Sequence, residues 1–251
     1  MGPAEAAAVL AAGLAAGAIN AVVGSGSLIT FPTLLAFGIP PVVANVSNNI
    51  GLVPGNVSGV YGYRRELRGQ RRRLLGLGVA SMAGSLAGAA LLLSLPASAF
   101  RLIVPALILL ACVLVLLQPR LSAWVAARQA DRGGRPGPVL PTGVLLAGAY
   151  GGYFGAANGV LVIGLLGTFL NENLQRVNAA KNVLIMIANG TAAVVFIVFA
   201  HVDWLVVAVI AAGATVGGLL GARYGRRLPP VALRWLVVAV GVTAAVRLIF
   251  F

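Results

Sequence analysis

Cysteine and histidine are almost missing from this chain: Cys112 and His201 are the only ones. One cysteine excludes an internal disulfide, and with a single histidine a His/Cys metal site is untenable. Acids are nearly as scarce. The five are Glu5, Glu66, Asp131, Glu172 and Asp203, and none falls in the middle of a long apolar run. Buried carboxylates that would favour a cation are therefore not expected. No nucleophile–base pair or metal set suggests an enzyme, and no cofactor is implied. Lysine occurs once, as Lys181. Charged residues make up 9% of the 251 and hydrophobic ones 60%. Soluble proteins run at about 45–50% apolar, so this excess marks a membrane protein.

The net charge of +13 invites nucleic acid as a partner. Its distribution argues against one. The arginines cluster in short loops between apolar runs, in "YRRELRGQRRRL" (63–74) and "GARYGRRLPP" (221–230). That is the positive-inside pattern of a polytopic membrane protein. It places Arg64, Arg65, Arg68, Arg71, Arg72 and Arg73 in the cytoplasm, with Arg120, Arg128, Arg132, Arg135, Arg176, Arg223, Arg226, Arg227 and Arg234. Arg101 and Arg247 fall near the outer face, and both termini come out external. The start, "MGPAEAAAVLAAGLAAGAINAVV", lacks a basic leader and is read as running into the first span.

Long apolar runs without strand alternation predict an all-α polytopic membrane protein. The candidate segments are 5–23, 28–38, 42–62, 74–94, 100–118, 139–157, 160–170, 176–200, 204–221 and 231–250. A full crossing takes about 20 residues, which leaves 28–38 and 160–170 too short. Each is read as the return arm of a re-entrant hairpin or as part of a broken helix. Residues 119–138 are polar and rich in Gly, Pro and Arg, and are read as a cytoplasmic linker between two transmembrane repeats, 1–118 and 139–251.

The repeats show in one ungapped offset: 159 − 26 = 133 pairs Gly26 with Gly159. The same shift pairs Asn45 with Asn178, Asn49 with Asn182, Asn56 with Asn189, Gly84 with Gly217, Gly88 with Gly221, Pro96 with Pro229 and Arg101 with Arg234. Whether the short arms cross or turn back, each half crosses an odd number of times. Two inverted-topology repeats follow, the arrangement of many secondary transporters.

Within the third span, Asn45, Asn49 and Asn56 stand at 0, +4 and +11. They form one polar stripe about 16 Å long, flanked by Asn48. The eighth span repeats it with Asn178, Asn182 and Asn189, and Lys181 takes the place of Asn48. Such stripes either hydrogen-bond helix to helix or line a water-filled path. Six equivalent asparagines favour the path. Lys181 is either a snorkelling side chain or a collector of anions on the cytoplasmic side. The turns "NAVVGSGSLITFP" (20–32) and "GGYFGAANGVLVIG" (151–164) add Asn20, Ser25, Gly26, Ser27, Asn158 and Gly159. Short helices starting after these turns are expected to aim free N–H groups and the positive dipole end at one another. Helix starts, amides and one lysine suit a small anion. By contrast, "GSLAG" (84–88) and "GGLLG" (217–221) read as close helix-packing motifs.

These features together resemble the sulfite exporter TauE/SafE family of membrane permeases. The resemblance covers nearly the whole chain. It rests on "GAINAVVGSGSLITFPTLLAFGIPPVVANVSNNI" (17–50), "GAANGVLVIGLLGTFLNENLQRVNAAKNVLI" (155–185), "FAHVDW" (199–204) and "GARYGRRLPPVALRWL" (221–236). It implies transport of sulfite, sulfoacetate or a related small sulfur oxyanion across the bacterial inner membrane. The partners expected are that anion and the lipid bilayer; assembly into a homo-oligomer is left open. Competing readings are a channel-like anion pore and a non-transporting membrane scaffold.

Overall fold

The computed structural model describes residues 1–129, 137–225 and 230–250; for 121–122, 124–129, 230–233, 236 and 249–250 it describes the backbone alone. Asp131, Arg132, Arg135, Arg226, Arg227 and Pro229 lie outside the described residues, as does the side chain of Arg128. Every regular element among the described residues is a helix. They are α1 (Pro3–Val22), α2 (Ser27–Ala36), α3 (Pro41–Gly62), α4 (Arg71–Ser94), α5 (Ala97–Gln129), α6 (Val139–Tyr153), α7 (Asn158–Phe169), α8 (Leu174–Phe199), α9 (Trp204–Tyr224) and α10 (Pro230–Phe250). Five of them, α1, α4, α5, α8 and α9, are long and apolar enough to cross a membrane.

The helix starts have local causes. Pro3 and Pro41 stand in first turns, where a missing N–H costs nothing. Asn173 caps α8 by accepting from the Arg176 N–H at 2.9 Å. Asp203 caps α9 by accepting from Leu205 and Val206, each at 3.1 Å.

The two short helices have 10 and 12 residues. At 1.5 Å per residue they reach about 15 and 18 Å, roughly half of the hydrocarbon core. Both turn back on the helix before them. The Asn158 side chain lies against Gly151, and Leu165 lies against Gly143, so α7 runs antiparallel to α6. Gly26 packs on Ala16, six residues before α1 ends at Val22. The short arms are thus return arms of helical hairpins.

Close glycine contacts fix the direction of several longer helices. Gly13 and Gly17 of α1 face Ile210 and Ala214, so α1 and α9 are parallel. Gly51 and Gly55 face the same two residues, which puts α3 parallel to α9 as well. Gly84 and Gly88 sit on Leu145 and Ala149, making α4 and α6 parallel. Ser81 and Ser85 donate to the Leu184 and Ala188 carbonyls at 3.0 and 2.6 Å, and α8 joins that second set. Residues 200–203 alone connect α8 to α9, a length that suits antiparallel neighbours. Helices one repeat apart then run in opposite senses. Packing follows suit: α1 lies on α9 and α6 on α4, while α2 lies on α10 and α7 on α5. This arrangement is compatible with inverted halves. The two Gly-xxx-Gly motifs are packing sites, for Gly217 and Gly221 sit on Leu14 and Ala18 of α1.

One segment differs from the sequence reading. Helix α5 continues through Pro105 and Pro119 to Gln129, so the stretch read as linker begins as helix. Thirty-three residues make a helix of about 50 Å, well beyond the hydrocarbon core. Pro119 leaves the carbonyl of Val115, four residues earlier, without its intrahelical donor, near the end of the apolar stretch.

Candidate substrate site at the hairpin tips

The tips of the two hairpins touch. The Gly159 N–H donates to the Gly24 carbonyl at 3.0 Å, and a side chain on either glycine would collide with the other's backbone. Gly24 has a φ of +83°, in the left-handed region that glycine tolerates without strain. Its equivalent at the repeat offset is Ala157, with a φ of +57°.

The free N–H groups expected at these helix starts are largely used within the protein. The Gly26 N–H goes to Asn20 Oδ1 at 2.7 Å. Leu28 and Ile29 donate to Ser25 and Gly26; Asn158 and Val160 donate to Gly155 and Ala157. The physical reason is burial: an N–H shut away from water must find an acceptor, and each turn supplies most of its own, with one bond crossing from tip to tip. Any anion here is therefore addressed mainly by side chains.

Lysine 181 is neither snorkelling nor at the surface. It is 0% exposed. Its ammonium donates to the carbonyls of Asn20 and Ala21 at 2.9 and 3.4 Å. Asn178 and Asn182 donate to the Ala21 carbonyl at 3.2 and 3.1 Å. These carbonyls belong to the last turn of α1, where helix acceptors lack intrahelical donors and the dipole is negative. The cation and two amides of α8 thus cap a helix in the other half. Reciprocally, Asn45 of α3 donates to the Tyr153 carbonyl at the end of α6, at 3.0 Å. Asn48 holds α3 to α2 by accepting from the Thr30 hydroxyl.

The structure therefore brings Asn20, Gly26, Gly159, Asn178, Lys181 and Asn182 into one network around the tips. Asn45 and Asn48 tie α3 to the same hairpins. Ser27 is half-buried at the first position of α2. Asn56 and Asn189 are buried further along their helices, and no hydrogen bond joins them to either tip among the described residues.

Several buried polar atoms have no protein partner: Ser25 Oγ, Asn49 Oδ1, Asn56 Nδ2, Asn158 Oδ1 and Asn178 Oδ1. Buried polar groups are normally satisfied, so each exception marks a place for a polar ligand or water, and Ser25, Asn158 and Asn178 belong to the tips or to the helix that caps them. A rotating hydroxyl or a half-turn of an amide presents a donor to an anion as readily as an acceptor to water. Gly24 and Thr30 belong to this machinery and escape sequence reasoning. The signal for Gly24 was its pairing with Ala157 at the repeat offset; Thr30 pairs with Ile163 and gives none.

On the cytoplasmic side of the sequence-based orientation, Glu172 joins two helix starts. It accepts from Arg73 of α4 at 3.2 Å and from Arg176 of α8. Partial burial pushes its carboxyl up, but the hydrogen bonds and charges of Arg176 and Arg73 outweigh that and hold it below the usual glutamate value.

A profile of the family described as sulfite exporter TauE/SafE matches residues 9–248. The chain is 31% identical over 214 residues to the probable membrane transporter protein YfcA of Escherichia coli K12, covering 85% of this chain and 76% of that one. It is 28% identical over 236 residues to the probable membrane transporter protein ORF9 of a Sinorhizobium species, covering 93% and 88%. A probable membrane transporter protein of Haemophilus influenzae is 29% identical over 214 residues, with 84% and 81% covered. No solved structure matches the chain. The profile spans nearly the whole sequence and the helices account for it: this chain belongs to the sulfite exporter TauE/SafE family of membrane transporters.

Proposed function

We propose that the protein carries a small oxyanion, a sulfur oxyanion or organosulfonate such as sulfite or sulfoacetate, out of the cytoplasm across the bacterial inner membrane, with both termini external. The observation that carries this reading is the buried Lys181 ammonium, held by carbonyls alone and surrounded by amides at the meeting point of two hairpins. An ammonium kept away from water is costly unless a counter-charge accompanies it. A bound anion supplies that charge, and unpartnered Ser25, Asn49 and Asn158 supply polar contacts. Export then runs downhill on an inside-negative potential, which favours an outgoing anion by about 2.3 kcal/mol per charge per 100 mV.

The test is counterflow in proteoliposomes loaded with unlabelled sulfite, sulfoacetate, thiosulfate or chloride. A carrier gives saturable accumulation of labelled sulfite driven by the sulfur oxyanions and weakly by chloride. Flux that rises linearly with concentration and shows no counterflow identifies a pore and overturns the carrier.

A further inference from the structure

Two cavities flank the α5–α10 pair at opposite ends. One, of about 670 Å³, is lined by Thr33 and Ala36 of α2, Arg101 of α5, and Thr243 and Arg247 of α10. The other, of about 250 Å³, is lined by Gln118 of α5, Ile163 of α7, Gln175 and Asn178 of α8, and Arg234 of α10. Arg101 and Gln118 are 17 residues apart on α5 (118 − 101 = 17), which is about 25 Å along the helix. The cavities therefore sit on opposite sides of the membrane.

They share one residue pair of the repeat. Each lies between the return arm of one hairpin and the α5–α10 pair. Each holds an arginine at the same place in the repeat, since 234 − 101 = 133. The positive-inside bias accounts for Arg234 as a cytoplasmic charge, but it gives no reason for Arg101 or Arg247 at the outer face. Asn178 lines the inner cavity and also donates to the end of α1, so that cavity adjoins the hairpin-tip network.

We infer that Arg101 and Arg234 are repeat-related anion-binding residues of two vestibules, which pass the same free oxyanion to and from the hairpin tips, one at each face of the membrane. The inference rests on the anion-carrier reading and adds where the anion binds before and after the tips. Arg247 strengthens the outer vestibule; Gln118 and Gln175 give the inner one neutral donors. An arginine that merely sits at the lipid interface would bind headgroup phosphate and would have no sided effect on transport.

The experiment uses right-side-out and inside-out vesicles carrying the full chain, with labelled sulfite presented to one face at a time. Arg101→Gln should raise the half-saturating concentration about tenfold at the outer face and leave the inner face within about twofold. Arg234→Gln should do the reverse. Arg101→Lys and Arg234→Lys keep the charge and should retain most of the affinity on their own sides, which separates a binding effect from a folding failure. The comparison is repeated with the purified protein in phosphatidylcholine with and without anionic lipid. Equal shifts at both faces, no shift at either, or shifts present only with anionic lipid overturn the inference while wild-type transport upholds the carrier reading. Absence of saturable sulfite flux in the wild type overturns both.

Discussion

Replacing Lys181 with glutamine removes the one buried cation among the described residues and leaves a neutral polar side chain one bond shorter. In the wild type its ammonium makes two charge-assisted bonds, a good one to the Asn20 carbonyl at 2.9 Å and a long one to Ala21 at 3.4 Å. A bond to a charged group contributes about 1.5–3 kcal/mol, and a neutral amide recovers about 1 kcal/mol of that with a single carbonyl. Loss of a cation at the negative end of α1 adds up to about 1–2 kcal/mol in a buried setting. Relief from burying a charge works in the opposite direction. The expected net loss is about 2 kcal/mol, read as a lower melting temperature of the detergent-purified protein. Transport should suffer more, because the counter-charge for the substrate is gone: the half-saturating sulfite concentration should rise at least about tenfold. Lys181→Arg keeps the charge but must fit a bulkier group where nothing is exposed, so it should retain part of the transport and lose stability. The control is Arg73→Gln, whose side chain is 38% exposed and pairs with Glu172 at 3.2 Å. A pair of that kind is worth under about 1 kcal/mol. If Lys181→Gln and Arg73→Gln shift melting and sulfite affinity equally, Lys181 is only another positive-inside charge and the reasoning fails.

Asn49→Leu should abolish sulfite counterflow without lowering the melting temperature, since Asn49 Oδ1 has no protein partner; Asn182→Leu should also lower stability by about 1 kcal/mol, since it gives up its bond to Ala21. Unchanged flux in both would return the asparagines to helix packing. The equivalent tip positions should answer in opposite directions: Ala157→Gly relieves a left-handed alanine and should gain about 1 kcal/mol, whereas Gly24→Ala drives a methyl into Gly159 and should lose more than that. Thermal melts that move both variants the same way would contradict the tip geometry. Glu172 contributes stability that is present above its unfolded pKa near 4.5 and is lost as pH falls through its lower folded value. A melt series across acid pH should therefore show a loss below about pH 4.5 that Glu172→Gln lacks; identical profiles would remove the clamp.

The ten helices, the two short arms and the burial of all six repeated asparagines were legible because apolar length and periodicity are local properties. The sense of each hairpin was not, because a ten-residue apolar run fits a broken span as well as a return arm until Gly26 is seen on Ala16. The role of Lys181 was hidden for a similar reason. Position along α8 suggested a route to the cytoplasmic surface, but the acceptors that hold it lie 161 and 160 residues away at the end of α1. The helix-start N–H groups looked free in sequence because their acceptors, Asn20 Oδ1 and the Gly24 carbonyl, come from the turn itself and from the opposite tip. The length of α5 was masked by Pro119, a residue that commonly ends a helix but here stands inside one, as Pro105 does.

Calorimetric titration of sulfite into the detergent-purified protein tests the central claim most directly, comparing wild type with the Asn49→Leu and Lys181→Gln variants at fixed salt. Saturable binding in the wild type, abolished in Asn49→Leu and weakened at least about tenfold in Lys181→Gln while both variants remain folded, is the predicted result. Sulfite binding that is equally tight in all three would contradict an anion site at the hairpin tips.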